Sequence, residues 1–297
     1  MNPLYDKFLN YIRCELNLSA HTVLSYTSDL RQWSAFSEAT FGENFDPAAT
    51  SANDLRLWVA HLSANGAGAR SIRRKIQTLR AFFRYMMKRC DMHDNPALEL
   101  VPARMPKVLP AVIRSADMEK LLDAPYDSDD FVELRNHLIL TMLYSTGMRA
   151  SELTGLLDAN VDITHGELKV LGKRNKERII PFGKELADMI ALYRTIRPVT
   201  AAPELFVLPD GRPLAYRNLL GIVKENLAGR VSTARRTPHV LRHSFATDML
   251  NDGADITAVQ QLLGHASLAT TQIYTHLSYR ELQHNYQLAH PRAQKKG

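Results

Sequence analysis

The sequence has few cysteines and no long apolar run. Its two cysteines, Cys14 and Cys90, form no CxxC pair and no spacing typical of metal ligands. This pattern favours a reducing compartment over a disulfide scaffold. No stretch approaches the roughly 18 apolar residues of a transmembrane helix, and the charged N-terminal segment lacks the apolar core of a signal peptide. We therefore expect a cytoplasmic protein without a membrane segment.

Length and charge favour two domains and a polyanionic partner. The chain has 297 residues, which is long for a single core, and its hydrophobic content of 45% is ordinary for a folded protein. The formal net charge is +6. A positive balance is typical of proteins that bind nucleic acid, although many basic proteins bind none.

A proline-containing segment divides the chain into two predicted domains. Residues 102–114, PARMPKVLPAVIR, contain three prolines and no helical pattern, so we interpret 105–114 as an extended linker. Residues 1–104 are predicted to form a helical bundle. Residues 115–297 are predicted to form a larger, mainly helical domain with a small antiparallel sheet. Its strands are predicted at 168–171 and 178–182, and its later helices at 183–195, 214–228, 238–252, 255–263 and 267–276.

The fourth predicted helix, residues 69–90, contains eight basic residues and no acidic residue. Apolar residues occupy one face, and Arg73, Arg80 and Arg84 fall on another. A run of charges is usually a solvated face, but such faces normally carry both signs. A stripe of one sign suits phosphate contacts along a DNA duplex. We predict DNA contacts from Arg70, Arg73, Arg74, Arg80 and Arg84.

Five segments of the second domain carry polar residues that hydrophobic patterning does not predict. They are STGMRASEL at the end of an apolar helix, the turn GKRNKER between the two strands, and the short sequences HVLRH, LLGH and IYTH. The residues that they contain include, in chain order, Arg149, Lys173, His239, Arg242, His265 and Tyr274.

This ordered set resembles the active-site signature of the tyrosine recombinase (phage integrase) family. The longer sequences STGMRASEL, HVLRHSFAT and LLGHASLATTQIYTH are also similar to that family's motifs, and the ending IYTH…AHPRA is most similar to the Xer recombinases. The resemblance implies a mainly α protein. A helical, SAM-like core-binding domain would precede a mostly helical catalytic domain, and the two would clamp the DNA duplex.

The resemblance also implies an activity. The chain would cleave and rejoin double-stranded DNA at a specific site through a 3′-phosphotyrosyl link and a Holliday junction, without metal, ATP or another cofactor. Tyr274 would be the nucleophile, with His239 as general base and Lys173 as general acid. The family works as a tetramer on DNA, and the resemblance implies a related second recombinase as a candidate partner and a DNA translocase as a candidate regulator. An Xer-type role is the resolution of chromosome or plasmid dimers during cell division.

These residue types suit the cleavage of a phosphodiester. Arg149 and Arg242 can each donate two hydrogen bonds to non-bridging oxygens, where negative charge develops in the transition state. His265 can add a further hydrogen bond. A tyrosine with a pKa of about 10 costs roughly 4 kcal/mol to ionise at pH 7, and nearby guanidinium groups lower that cost.

Simpler interpretations exist for several of these residues. Arg149 and Glu152 are spaced for an ion pair at a helix end, in which Glu152 would orient neighbouring basic groups. Lys176 competes with Lys173 in the same turn, and we favour Lys173 because the Gly172-Lys173 pair matches the family's lysine.

The histidines and tyrosines also have alternatives. His239 and His243 have the i, i+4 spacing of a zinc pair, but no third ligand follows them, so we predict no metal site. Tyr279 and Tyr286 are rival nucleophiles, and neither has the family's spacing from His265.

Three other functions remain open at this point. An integrase of a mobile element and a type IB topoisomerase would use the same chemistry, whereas a DNA-binding regulator would form no covalent adduct. The segment 279–290 has two alternatives as well. It would pack either into a neighbouring subunit, through Leu282, Tyr286 and Leu288, or onto its own domain.

Overall fold

The computed structural model describes residues 2–102, 111–172, 177–264, 286 and 288–290. The chain forms two compact units, residues 1–108 and 109–297. Most of the predicted linker 105–114 lies outside the described residues, and its last four residues, 111–114, have no regular secondary structure. Of the helices that the structure describes, none combines the length and the apolar composition needed to cross a membrane.

The described part of the first unit contains four α-helices, as the apolar spacing predicts. Side-chain oxygens of Asn2, Ser19 and Ser51 accept hydrogen bonds from backbone N–H groups at the start of the first three helices, which fixes where those helices begin. The first helix continues as a π-helical turn, Tyr11–Glu15. The helices are α1 (Pro3–Asn10), α2 (Ala20–Phe41), α3 (Ala52–Ala64) and α4 (Ala69–Arg89).

Aromatic side chains fill the core of the first unit. Trp33 of α2 and Trp58 of α3 meet edge to face with ring centroids 5.4 Å apart, and both are buried. Phe8 of α1 and Phe82 of α4 also meet edge to face, at 5.6 Å. Each helix therefore contributes a ring to one core, which fixes the outward face of α4.

The second unit combines seven described α-helices with a three-stranded antiparallel sheet. The helices are α5 (Ser115–Leu122), α6 (Phe131–Thr146), α7 (Ala150–Thr154), α8 (Lys184–Ile196), α9 (Tyr216–Leu227), α10 (Pro238–Asn251) and α11 (Ile256–Leu263). The strands are β1 (Val161–Asp162), β2 (Glu167–Leu171) and β3 (Glu177–Pro181), in the order β1-β2-β3.

Helix α6 is the centre of the second unit. It is buried on nearly all sides and packs against α8, α9 and α10. The predicted strands are confirmed as β2 and β3, whose register pairs Leu168 with Ile180 and Val170 with Arg178. The elements β1 and α7, with two and five residues, are too short to show a periodicity and were not predicted, and α5 was not predicted either. The predicted helix 267–276 lies outside the described residues.

The described residues near the C-terminus pack onto their own unit. Tyr286 and Ala289 are buried in a cluster with Phe245 and Met249 of α10. The ring of His290 stacks on that of Tyr286, with centroids 5.1 Å apart. Of the two alternatives for the segment 279–290, these contacts correspond to packing on its own domain.

Candidate active site

The end of helix α6 directs the chain toward the first arginine of the set. Gly147 ends α6 with φ +59, a left-handed conformation that favours glycine. A Cβ at this position would also collide with the ring of Phe245 in α10. The close approach of α6 and α10 therefore requires glycine here, and it places Arg149 at the N-terminus of α7.

Helix α10 carries His239 and Arg242 and is anchored by a buried carboxylate. Asp248 accepts hydrogen bonds from the Tyr144 hydroxyl of α6 at 2.7 Å and from the Ser115 hydroxyl of α5 at 2.8 Å. Burial raises the pKa of Asp248, while these hydrogen bonds oppose the rise. Because α10 is tied to two other helices, Arg242 has a fixed position.

Three consecutive carbonyl oxygens at the end of α11 each accept a hydrogen bond from a different arginine. Carbonyls in the last turn of a helix lack partners within the helix and lie at the negative end of its dipole, so they attract cations. The pairs are Leu262 with Nε of Arg178 (2.8 Å), Leu263 with Nη2 of Arg242 (2.6 Å) and Gly264 with Nη2 of Arg149 (3.1 Å). Arg149 and Arg242, predicted from sequence, are thus brought together with a third arginine.

The carboxylate of Glu152 binds two of these arginines at once. Its side chain is 4% exposed. Oε1 and Oε2 each accept a 2.8 Å hydrogen bond from Arg178. The Nη1 of Arg149 donates to Oε1 and its backbone N–H to Oε2, both at 2.7 Å. The structure thus contains the Arg149–Glu152 ion pair that the sequence offered as a simpler interpretation, and Glu152 orients both arginines.

The electrostatics of the site follow from this arrangement. Burial alone would raise the pKa of Glu152, but hydrogen bonds from Arg178 and Arg149 outweigh it and lower the pKa to about 2. Burial and the nearby charge of Arg149 lower the pKa of Arg242 to about 10, so it stays charged at neutral pH. Three guanidinium groups and one carboxylate therefore carry a formal charge of +3 − 1 = +2.

Both predicted arginines have more guanidinium donors than their contacts with the described residues use. A guanidinium has five N–H donors. Arg149 and Arg242 each use two in described contacts, and the second contact of Arg242 is from Nη1 to the Gly147 carbonyl at 2.5 Å. The Arg149 side chain is 32% exposed. The arrangement can therefore bind an anionic oxygen without releasing its internal contacts.

Of the other predicted site residues, the structure describes His239 but not Lys173, His265 or Tyr274. His239 is exposed in the first turn of α10, and its spacing of three residues from Arg242 makes them neighbours on the helix surface. Lys173, His265 and Tyr274 lie outside the described residues, although His265 directly follows Gly264 in the sequence. The rival nucleophile Tyr286 is 2% exposed in the core.

Sequence reasoning missed Arg178, although a signal was present. Side chains of a strand alternate between its two faces, so Arg178 shares a face with Ile180, which is fully buried. The Arg178 side chain is 13% exposed. A charged residue at an inward-facing strand position calls for a buried partner, and here that partner is Glu152.

The basic helix α4 has partners that its own sequence does not show. Asp29 of α2 is buried and lies 3.0 Å from the Lys75 ammonium and 2.8 Å from the Arg74 guanidinium. Thr78 also donates a 2.8 Å hydrogen bond to Asp29. Part of the charge on α4 is therefore neutralised inside the unit.

The five predicted DNA-contacting arginines have different surroundings. Arg80 is half-buried and donates hydrogen bonds of 3.0 and 2.8 Å to two backbone carbonyls of the segment after α4. Arg74 is exposed but ion-paired to Asp29, as described above. Arg70, Arg73 and Arg84 are exposed and make no hydrogen bond or ion pair with the described residues. Their guanidinium groups are the most available for phosphate.

A helical unit followed by a mainly helical unit with clustered arginines is the architecture of a tyrosine recombinase, and comparisons with known proteins agree. The model of the Phage integrase family matches residues 111–281, and that of the Phage integrase, N-terminal SAM-like domain matches residues 5–90. The chain therefore belongs to the phage integrase family of tyrosine recombinases. This membership makes it a DNA recombinase, and both the predicted fold class and the SAM-like first domain are confirmed.

Relatives and solved structures are similar over nearly the whole chain. Tyrosine recombinase XerC of Staphylococcus carnosus is 37% identical over 298 residues, 99% of both chains. Tyrosine recombinase XerD of Listeria monocytogenes is 36% identical over 303 residues, 99% of this chain and 100% of that one. The Tn1549 transposon integrase in complex with transposon right end DNA has a TM-score of 0.71 at 21% identity, covering 95% and 96%. XerH recombinase bound to difH has a TM-score of 0.65 at 23% identity, covering 94% and 83%.

The substitution Glu152→Gln tests the charge arrangement. The folded pKa of Glu152 lies below its ordinary value of 4.5, so its ion pairs stabilise the fold above about pH 4.5, and that contribution is lost as the pH falls toward 2. We expect the variant to lose about 3 kcal/mol of unfolding free energy at pH 7 and distinctly less at pH 3. Urea unfolding followed by circular dichroism measures this. Tryptophan fluorescence does not report on the unfolding of the second unit, because both tryptophans lie in the first unit.

The matched control is Asp210→Asn, which removes an exposed ion pair to Arg212 in the same unit. Exposed pairs contribute at most about 1 kcal/mol, so this variant should stay close to the wild-type protein at both pH values. An equal loss for Glu152→Gln at pH 7 and pH 3 would contradict the depressed pKa of Glu152.

Proposed function

We propose that the chain is a site-specific tyrosine recombinase in which Tyr274 attacks a DNA phosphate. The observation that carries the proposal is the convergence of Arg149 and Arg242 on the end of α11, directly before His265 in the chain. Relatives named XerC and XerD, 36–37% identical over 99% of the chain, support the Xer type within the family.

The proposed reaction exchanges one phosphodiester for another. The phenolic oxygen of Tyr274 forms a bond to phosphorus, while the bond from phosphorus to the 5′ bridging oxygen breaks. His239 accepts the phenolic proton, and Lys173 donates a proton to the leaving 5′ oxygen. The product is a 3′-phosphotyrosyl link and a free 5′ hydroxyl, which reverses when a 5′ hydroxyl of the partner strand attacks.

The charge of the site suits the transition state. A phosphodiester with a charge of −1 and a phenolate with −1 give −2 in the pentacovalent arrangement. Arg149 and Arg242 carry +2, and the charges of Arg178 and Glu152 offset each other in their ion pair. Donors that are already in place stabilise developing charge without a reorganisation cost. We propose that Arg149 and Arg242 supply the charge stabilisation and that no metal ion takes part. We also propose that no ATP takes part, because the phosphotyrosyl link conserves the bond energy.

The assembly on DNA is also part of the proposal. Four subunits would hold two DNA sites and exchange one pair of strands at a time through a Holliday junction, with a related second recombinase as a candidate partner. The Xer relatives support a role in resolving chromosome or plasmid dimers at cell division, with a DNA translocase as a candidate regulator. Structural neighbours solved with DNA, including XerH bound to difH, support DNA as the substrate.

The first unit would bind the duplex through the outward face of α4. Arg70, Arg73 and Arg84 are the arginines that we propose to contact phosphates directly. Arg74 keeps a 43% exposed side chain beside Asp29 and would contribute more weakly. Arg80, with its two carbonyl contacts, would act mainly by holding the helix in place.

The nucleophile is tested with a suicide substrate. The probe is a duplex enriched from a random-sequence pool by binding to the protein, nicked a few nucleotides 3′ of the cleavage position so that the cut fragment diffuses away. The wild-type protein should be trapped as a covalent adduct on a denaturing gel. Tyr274→Phe should bind the duplex equally well and form no adduct, because it lacks the attacking oxygen. Tyr279→Phe is the control and should be trapped. Adduct formation by Tyr274→Phe would refute the assignment.

The general acid is tested by changing the leaving group. With a natural 5′ oxygen, Lys173→Ala should slow cleavage by about 10²- to 10⁴-fold. A 5′ bridging sulfur needs no protonation when it leaves, so it should restore most of the rate. Lys176→Ala, in the same turn, is the matched control and should cleave both substrates at nearly the wild-type rate. A Lys173→Ala defect that persists with sulfur excludes the general-acid role.

The phosphate contacts of α4 are tested by salt dependence. Each phosphate contact contributes about −0.9 to the slope of log affinity against log salt concentration. Arg73→Gln and Arg84→Gln should each flatten the slope by about that amount in a titration of the enriched duplex. The control is Arg56→Gln on α3, an exposed residue paired with Glu99, which should leave the slope unchanged. Unchanged slopes for both α4 variants would show that α4 does not contact phosphate.

A further inference from the structure

Arg178 is an arginine of the site that the proposed chemistry does not use. Its side chain is 13% exposed, and all three of its guanidinium nitrogens are engaged in hydrogen bonds of 2.8 Å. Two bonds go to the carboxylate of Glu152 and one to the carbonyl of Leu262. A side chain that is this buried, and whose three guanidinium nitrogens all donate hydrogen bonds, is suited to holding other groups rather than to binding a substrate.

These three hydrogen bonds join three separate elements. Arg178 belongs to β3, Glu152 to α7, and Leu262 to the last turn of α11. The approach to α11 is close, because a Cβ built on Gly264 would lie 3.2 Å from the Arg178 side chain. Gly264 itself has φ +63, a conformation that glycine adopts without strain.

The elements that Arg178 joins differ in how well they are held without it. Glu152 and Arg149 are three residues apart and contact each other within α7. Arg149 is also bound at Gly264, and α11 is bound by Arg242 at Leu263. The pair that would bind phosphate therefore keeps its local partners when Arg178 is removed.

Buried apolar side chains, including Val170 and Ile180, pack the β2–β3 hairpin on its unit, and Arg178 adds polar contacts to this packing. At the end farther from the turn, the Phe182 N–H donates to the Gly166 carbonyl at 2.7 Å. At the turn end, Val170 pairs with Arg178 and Leu171 with Glu177. Among the described residues of β2 and β3, Arg178 is the side chain that makes hydrogen bonds to the helices. The sequence between these paired ends is Gly172 to Lys176, which contains Lys173.

We propose that Arg178 is a positioning residue that binds the turn end of the described β2–β3 hairpin to Glu152 and the end of α11, and that it acts through Lys173, which follows β2 by two residues in the sequence. The inference rests on the proposed role of Lys173 as general acid. Removal of Arg178 should slow the protonation of the leaving 5′ oxygen. It should leave the binding of the phosphate unchanged, because Arg149 and Arg242 retain their other contacts. A lysine at position 178 keeps the charge but cannot make a bidentate contact with Glu152 and also reach Leu262.

The test compares two leaving groups in the full-length protein. The nicked duplex described above is prepared with either the natural 5′ oxygen or a 5′ bridging sulfur, and single-turnover cleavage is measured for Arg178→Met, Arg178→Lys and Lys173→Ala. With oxygen, Arg178→Met should be slower by about 100-fold, the scale of a misplaced catalytic group, and Arg178→Lys by about tenfold. With sulfur, both losses should shrink to less than about threefold. Binding of the duplex should stay near the wild-type value.

The matched control is Arg194→Met in the same unit. Arg194 is also a partly buried arginine that binds a carboxylate, Asp158, and two backbone carbonyls. Its loss should lower the melting temperature comparably, because similar contacts disappear, and leave the cleavage rate with either leaving group unchanged. If circular dichroism shows that Arg178→Met does not fold, the two leaving groups are compared with Arg178→Lys instead.

The outcomes separate the inference from the proposed function. If sulfur restores Lys173→Ala but neither Arg178 variant, Arg178 does not act through the hairpin and the inference is wrong while the general acid stands. If both Arg178 variants cleave the oxygen substrate at the wild-type rate, the inference is also wrong. If sulfur fails to restore Lys173→Ala, the general-acid role is wrong and the inference falls with it. If the wild-type protein forms no adduct with either duplex, the proposed function itself fails.

Discussion

The site depends on a balance between three guanidinium groups and the few negative groups that hold them. Like charges repel strongly where water is scarce, so Arg149, Arg178 and Arg242 need compensation to lie close together. Two sources supply it. The buried carboxylate of Glu152 binds two of the arginines, and the last carbonyls of α11 bind all three. The carbonyls contribute only partial charge, so the cluster keeps a net positive charge while its geometry is fixed.

This balance explains why several unrelated features of the fold meet at one place. Helix α6 must end sharply so that α7 can present Glu152, and Gly147 makes that turn beneath the ring of Phe245. Helix α11 must end where its carbonyls face the arginines, and Gly264 ends it beside the side chain of Arg178. The buried hydrogen bonds of Asp248 hold α10 against α6 and α5. The arginine cluster thus depends on four elements, α7, α10, α11 and β3, whose positions are set by packing outside the cluster.

The sequence predicted the parts of this arrangement that are encoded locally. The order of the motifs identified Arg149 and Arg242, and periodicity predicted β2, β3 and the longer helices. It could not predict α7, which has five residues, or the partners of α4, because Asp29 lies 46 residues from Lys75. Periodicity describes one element at a time, whereas ion pairs across elements depend on the tertiary fold. Arg178 was missed for the same reason, because its role depends on the tertiary contact with Glu152.

The same balance determines what a bound phosphate has to displace. If Glu152 and the carbonyls used every donor of Arg149 and Arg242, DNA would have to break those contacts, and the cost would oppose binding. Each of these arginines instead uses two of its five donors in described contacts, and the cluster keeps a formal charge of +2. A phosphate can therefore add to the existing arrangement rather than replace part of it. Its charge then offsets the repulsion among the arginines, so substrate binding and the stability of the charged cluster should reinforce each other.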